Sequence, residues 1–270
     1  MGAGAAVASG LEPRYASGMD PHDEALAKAF DAQAPLFERS PLQKDAAALA
    51  RLVAFAALPS GAEVLDAGCG PGIVAEAFLD AGCRVAGVDL SAEMIARARA
   101  RCARLGERAR FEQRPLDTLP PARAFDAAVT RFVLHHVRDP LAFLGAQARR
   151  VRPGGVVVAS DHVTDPDPAR ARWHGEVEVA RDHTHVRNLT AGELVDAFAR
   201  AGLEQVTLVE EALELDFDEW FDRGTPKASK EEVRRMLLAG SARGFVPVER
   251  ADGAITIRAV RALVRGVVAG

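Results

Sequence analysis

Cysteine, lysine, tyrosine and tryptophan are all scarce in this chain. Its three cysteines, Cys69, Cys83 and Cys102, form no C-x-x-C pair and no even framework, which excludes a disulfide-stapled fold and argues against a metal–thiolate site. That usage fits a reducing compartment, so a cytoplasmic location is expected. Aromatic residues make up 6%, too few to argue for a broad stacking pocket. There is no basic excess: the formal net charge is −4, which makes polymeric nucleic acid and anionic bilayers poor partners. Only Lys28, Lys44, Lys227 and Lys230 are lysines, and the accompanying richness in arginine and alanine carries no chemical reading. No apolar run reaches the ~20 residues of a membrane helix. The longest, around residues 46–58, is interrupted by Arg51. Residues 1–10 are rich in glycine and alanine but lack the charged and apolar regions of a signal peptide. Residues 1–22 are therefore expected to be a disordered leader, with Met19 a candidate start. What is present is ordinary globular composition, 49% hydrophobic and 27% charged over 270 residues, enough to bury the core of one large α/β unit.

Two helical patterns come first, at 23–34 and 42–58, with Pro35 and Pro41 expected to break between them. From residue 63 short β-branched runs alternate with amphipathic stretches: strands at 64–66, 84–89, 110–113, 125–130 and 156–160, helices at 73–80, 92–105 and 141–151. Such alternation implies right-handed crossovers and a parallel sheet. Beyond Asp161 the rhythm changes to a Pro-, His- and charge-rich stretch, then a helix–strand pair at 191–201 and 204–213, a polar helical stretch at 216–244, and a last strand at 255–268. The expected architecture is α/β: a Rossmann-like, seven-stranded, mostly parallel sheet with an antiparallel last strand, N-terminal helices and a helical insertion forming a lid. Its parts would be a helical cap at 23–60 and a ligand-binding α/β unit at 61–270, with pocket insertions at about 162–190 and 214–245.

Val64-Leu65-Asp66-Ala67-Gly68-Cys69-Gly70-Pro71-Gly72 lies where a strand turns into a helix. Glycines there let the backbone pass close under a ligand, and the helix N-terminus adds a positive dipole end. Ile73 stands where the G-x-G-x-x-G dinucleotide fingerprint places its third glycine, which weakens a nicotinamide reading. No Lys-Ser/Thr pair follows the glycines, so a triphosphate loop is excluded as well. One strand later comes Asp89, placed to present a carboxylate to ribose hydroxyls. A tight turn or a helix cap before Ser91 would explain either feature alone; their joint spacing in a β-α-β frame points to a nucleoside-bearing ligand.

These motifs resemble those of class I S-adenosylmethionine-dependent methyltransferases, in particular the small-molecule branch that includes ubiquinone and menaquinone C-methyltransferases. VLDAGCGPG is similar to that family's first motif, GVDLSAEMIARAR to its second, FDAAVTRFVLHHVRDP to its fourth-strand motif and RVRPGG to the turn before its fifth strand. The resemblance implies S-adenosylmethionine as cofactor and S-adenosylhomocysteine as product. It places Asp66, Gly68, Cys69, Gly70 and Gly72 along the methionine end, Asp89 and Leu90 at the ribose and Met94 near the adenine, with Leu116, Asp117 and Arg131 as further cofactor contacts. One departure stands out: Pro115 occupies the position where the family usually has an acid that meets the adenine amino group. Asp117 or the Leu116 backbone N–H is left for that contact.

In an open parallel sheet the chemistry sits beyond the carboxyl ends of the strands. Methyl transfer from a sulfonium is an in-line displacement, so alignment matters most and one proton has to leave where the acceptor is protonated. A histidine titrating near neutrality suits that step, and His135, His136 and His162 are the candidates. Phe37, Phe132, Asp161, Trp173, His183, His185 and Arg187 are the candidate acceptor contacts. The His183-x-His185 spacing beside Asp161 and His162 also suits Zn, Fe or Mn, but His-x-His in a loop is more often hydrogen-bonded or solvated, and no metal is expected. The expected partner is a small organic acceptor methylated at O, C or N, with the chain a monomer or homodimer. Two other readings of the same fold stay open: a cyclisation, elimination or rearrangement in which the cofactor is not consumed, and a non-catalytic protein that binds the cofactor or its product.

Overall fold

The computed structural model describes residues 20–270. The expected leader falls almost wholly outside the described residues, as does Met19. Eight strands form one sheet: β1 (Glu63–Ala67), β2 (Arg84–Asp89), β3 (Ala109–Gln113), β4 (Phe125–Arg131), β5 (Val151–His162), β6 (Leu203–Asp216), β7 (Phe245–Glu249) and β8 (Ile255–Val268). Their order is β3-β2-β1-β4-β5-β8-β6, with β7 pairing a second stretch of β8. Strands β1 to β5 run parallel, whereas β8 is antiparallel to β5, β6 and β7. The Rossmann-like, mostly parallel sheet with its antiparallel last strand is as expected. The short β7 is an addition, hidden in sequence because Pro247 and a charged end mask its alternation.

Helices α2 (Ala46–Ala56), α3 (Ile73–Asp80) and α4 (Ala92–Cys102) cover one face, where Leu52, Phe78, Ile95 and Val129 share a core. On the opposite face, α5 (Pro140–Ala148) and α7 (Ala191–Arg200) bury Leu144, Leu194 and Phe198 against Val157 and Val264. Central strands covered on both faces must be apolar on both, which is why β1 and β4 carry consecutive apolar residues in their middles, Val64-Leu65 and Ala127-Ala128-Val129. A smaller third core, with Val177, Trp220, Leu237 and Phe245, joins α6 (Pro168–Arg181), α8 (Phe217–Asp222) and α9 (Lys230–Leu238) to the overhanging start of β8. This satellite holds the two inserted segments over the carboxyl end of the sheet.

Helix α1 (Pro21–Arg39) corrects one expectation, because it runs straight through Pro35. A proline inside a helix costs about 3 kcal/mol through a lost hydrogen bond and a clash. Tertiary contacts hold the last turn regardless: Glu38 pairs with Arg97 and Arg101 of α4, while within the helix Phe37 packs edge-on against Phe30 at 5.8 Å.

Candidate active site

The glycine loop is shaped by the strand it leaves. Gly68 and Cys69 both donate from their backbone N–H to the Val88 carbonyl, at 2.9 and 3.0 Å, so the turn is pinned to the end of β2. Gly68, Gly70 and Gly72 all have positive φ, a region costly for any residue with a Cβ. Around two of them there is no room either: a Cβ on Gly68 would lie 2.6 Å from a Val133 methyl, and one on Gly72 2.9 Å from the Ala98 backbone. A Cβ on Gly70 would meet nothing within 4 Å, so the open side of the loop is there. Asp89 Oδ2 accepts the Gly70 N–H at 2.8 Å and Oδ1 accepts the Ser91 N–H at 2.9 Å, which aims the carboxylate along the loop. Beneath it, Asp66 is 1% exposed and its Oδ2 has no hydrogen-bond partner. Burial, reinforced by the charge of Asp89, pushes the Asp66 carboxyl up to about 7. A glycine cradle open on one side, over a buried acid with one unpartnered oxygen, fits a ligand carrying positive charge and a ribose, as S-adenosylmethionine does. Met94 lies buried in the first turn of α4 and Leu116 is buried near Val88, both on the side expected for adenine. Asp117 is exposed on a single 3₁₀ turn, Leu116–Thr118.

The candidate acceptor side is built from the ends of β4 and β5. Phe132 follows β4 at φ +59°, an uncommon conformation for a bulky residue, and its N–H is held by the Ser160 carbonyl at 2.8 Å. That kink turns the chain into the short 3₁₀ helix Leu134–His136, which presents the paired histidines. His135 Nδ1 lies 2.6 Å from Asp161 Oδ1, while Asp161 also accepts the N–H groups of Leu134 at 2.7 Å and His162 at 2.8 Å. Asp161, expected to touch the acceptor, instead directs both oxygens to these neighbours. With the carboxylate as acceptor, His135 carries its proton on Nδ1, so that Nε2 is the basic nitrogen of the neutral ring. Burial by itself would lower His135, but the charge and hydrogen bond of Asp161 outweigh it and the imidazole titrates above its ordinary value.

The other three histidines differ. Burial and then the neighbouring His135 push His136 and His162 down to about 3. His185 goes down to about 4, by burial first. They are neutral walls: His136 donates from Nδ1 to the Thr184 carbonyl at 3.1 Å, His162 stacks on Phe132 at 4.7 Å, and His185 stacks on His135 at 5.5 Å with its Nε2 buried and unpartnered. Among the described residues, no three His, Cys, Asp or Glu side chains are arranged to hold a metal ion.

Residues 182–187 close this wall because the N–H groups of Val186 and Arg187 both donate to the His135 carbonyl. Three of the expected acceptor contacts are not brought to the cluster. His183 is exposed on the far side of the loop, Arg187 points outward to Glu193 at 2.8 Å, and Trp173 packs into the satellite core with its N–H on the Met236 carbonyl. Loop polarity alone does not tell which way each side chain turns. Phe37 stays at the edge, reaching the cluster through Phe30, whose ring meets His136 at 5.0 Å.

Other groups became visible only in three dimensions. Asp31 of α1 accepts from the Ser91 hydroxyl at 2.6 Å, and Gln33 donates to Asp182 at 3.4 Å and to Thr225 at 3.3 Å. His22 contacts the His136 carbonyl at 2.9 Å. One helix therefore spans the glycine-loop side and the histidine side together. A glutamine at helical spacing from Leu26 and Ala29, on the apolar face of α1, was the available signal for it.

A family model described as "Methyltransferase domain" matches residues 42–208, more than half of the chain. YafE of Escherichia coli is 35% identical over 153 residues, covering 56% of this chain and 74% of its own. A ubiquinone biosynthesis O-methyltransferase of Xanthomonas axonopodis pv. citri is 28% identical over 188 residues, covering 67% and 77%. The crystal structure of YcgJ from Bacillus subtilis superposes with a TM-score of 0.75 at 27% identity, covering 83% of this chain and 99% of that one. The [4+2]-cyclase SpnF shares the fold alone, with a TM-score of 0.66 at 20% identity over 94% and 98% of the two chains. With its glycine cradle, its Asp89 and a matched segment that includes both, the chain belongs to the methyltransferase-domain family and is an S-adenosylmethionine-dependent methyltransferase.

Proposed function

We propose that the methyl goes to a small organic acceptor that gives up a proton as it reacts, oxygen being the first choice, with His135 as general base. The observation that carries this reading is the 2.6 Å contact between His135 and Asp161 in a cluster where the other histidines are held neutral. When bound, the cofactor supplies an electrophilic methyl on a sulfonium. The work left to the chain is to hold the acceptor in line and to take its proton. His135 keeps Nε2 free for that proton, and Asp161 stabilises the imidazolium that forms. His136 and His162 are too weakly basic to compete, so they shape the cleft and exclude water. Asp66, Asp89 and the glycines are assigned to the cofactor, with Leu90, Met94, Leu116 and Asp117 at its nucleoside end. The cap at about 23–60 and the insertions at about 162–190 and 214–245 serve as the cover over the acceptor. The O-methyltransferase relative supports oxygen as the first atom to try.

The test is an acceptor screen with methyl-labelled S-adenosylmethionine, counting S-adenosylhomocysteine per turnover, followed by a pH–rate profile of wild type and His135→Gln. Labelled product at one equivalent per turnover is expected, with a rate that rises with pH through the His135 titration and a His135→Gln variant that has lost that limb. Product formed without S-adenosylhomocysteine would overturn the transfer reading.

A further inference from the structure

Strand order determines where the far end of the cofactor falls. The histidine cluster stands at the ends of β4 and β5, the glycine loop follows β1, Asp89 closes β2, and β3 lies outermost, in the order β4-β1-β2-β3. A ligand with its sulfonium toward the histidines and its ribose at Asp89 therefore lays its base over the end of β3 and the segment that follows, Gln113 to Leu119. The group that sets adenine apart there is its 6-amino, a hydrogen-bond donor that calls for an acceptor.

Most acceptors on that segment are already in use. Pro115 has no polar side chain, and its carbonyl accepts from the Thr118 N–H at 3.2 Å and the Thr118 hydroxyl at 2.7 Å. The Leu116 carbonyl accepts from the Leu119 N–H at 3.1 Å, and the Thr118 carbonyl from Arg114 at 2.7 Å. The carbonyls of Asp117 and Leu119 both accept from the buried Arg150, the first at 2.9 Å. Glu112 leaves the opposite face of the strand from Gln113 and pairs with Arg114 at 2.9 Å. Asp117 is exposed on the 3₁₀ turn, and among the described residues no hydrogen bond ties its carboxylate to β2.

Gln113 differs from all of these. It is the register partner of Asp89 across the parallel pair β2–β3, so the two side chains leave the same face of the sheet on strands ~4.8 Å apart. Its Nε2 donates at 3.1 Å to the carbonyl of Leu90, the residue next to Asp89. A carbonyl can only accept, so this bond decides which end of the amide is nitrogen. Oε1 is left with no hydrogen-bond partner among the described residues, beside the apolar bed of Met94 and Leu116.

We infer that Gln113 reads the cofactor's base: Oε1 accepts the adenine 6-amino group while Nε2 stays on Leu90, which holds the amide in that orientation before the cofactor arrives. This goes beyond the acceptor assignment and does not depend on His135. The selecting group is a neutral amide, so the preference for adenine over purines without a 6-amino group is the same at acid and at neutral pH.

The experiment is calorimetric titration with S-adenosylhomocysteine, its 6-deamino analogue and S-inosylhomocysteine. Wild type should bind S-adenosylhomocysteine about tenfold more tightly than the 6-deamino analogue, the scale of one net hydrogen bond, and the inosyl compound, which turns an oxygen toward Oε1, more weakly still. Gln113 is exposed, so its variants should keep the fold. Gln113→Leu should lose about tenfold for S-adenosylhomocysteine while the 6-deamino analogue stays within about threefold, and Gln113→Glu, which keeps an oxygen acceptor, should retain part of the preference. Equal binding of the adenosyl and 6-deamino ligands by wild type overturns the assignment. So does a preference that survives in Gln113→Leu, or one that vanishes in Asp117→Asn or at acid pH, since the reader is then a carboxylate. Binding of none of the three ligands overturns it together with the cofactor site, whereas an unchanged pH–rate profile in His135→Gln touches only the base.

Discussion

The two halves of the site are assembled over very different sequence distances. On the cofactor side, the bond that shapes the glycine loop joins Gly70 to Asp89, 19 residues apart, within a single β-α-β unit. On the acceptor side, His135 meets Asp161 at a separation of 26, His136 meets Thr184 at 48, and Gln33 meets Asp182 and Thr225 at 149 and 192. The cofactor half is made of backbone geometry that any methyl acceptor can share. The proposed acceptor half is made of side chains gathered from five segments, most of them outside the sheet. This explains how one sheet serves different acceptors: loops that meet only over the carboxyl edge carry the specificity.

The comparison predicts that damage to one half leaves the other legible. His135→Gln should lower kcat by roughly 10²–10³-fold, the usual worth of general-base catalysis, while S-adenosylhomocysteine titration changes little. Equal losses in both would mean that the halves are not separable. Asp89→Ala should do the reverse and weaken both S-adenosylmethionine and S-adenosylhomocysteine by about 100-fold, the scale of lost hydrogen bonds to a charged group. Calorimetric titration decides it, with Asp89→Asn retaining part of the affinity.

Asp161→Asn separates a base from its support. Asp161 holds His135 above its ordinary value, so removing the charge should move the rising limb of the pH–rate profile toward acid. A profile that stays in place would show that another group sets it.

Acid stability provides a smaller contrast. The unfolded chain takes up protons that His136, His162 and His185 refuse in the fold, where they titrate near 3 to 4. Stability should therefore fall as pH drops below about 6.5, flattening only near the folded values. His135 and Asp66, whose folded values are raised, oppose this in part, because each takes up its proton more readily in the fold. The Asp161 carboxylate, held low beside His135, adds to the fall once the pH drops through the carboxylate range. His162→Phe, which keeps the stack on Phe132, should flatten the melting temperature against pH. Smallest of all are His183→Ala and Arg187→Ala, expected within about twofold of wild type in acceptor KM because both side chains face water.

Within the sequence, order along the chain carried the α/β alternation, the strand after strand that places Gly68–Gly72 and Asp89 side by side, and the position of the paired histidines at the end of β4. These follow from period, glycine spacing and turn chemistry, all local properties. The sequence also marked the His- and charge-rich stretch beyond Asp161, with its His183-x-His185 spacing, without saying that Asp182 and His185 turn inward while His183 and Arg187 turn out. Helix α1 crossing Pro35, the assignment of Asp161 to His135, and the placing of Arg131 and Arg261 on one face of the sheet were decided only by tertiary structure. The reason is the same in each case: a side chain's partner across a sheet edge is set by packing among segments, and neither periodicity nor composition encodes which distant carboxylate, carbonyl or ring it will meet.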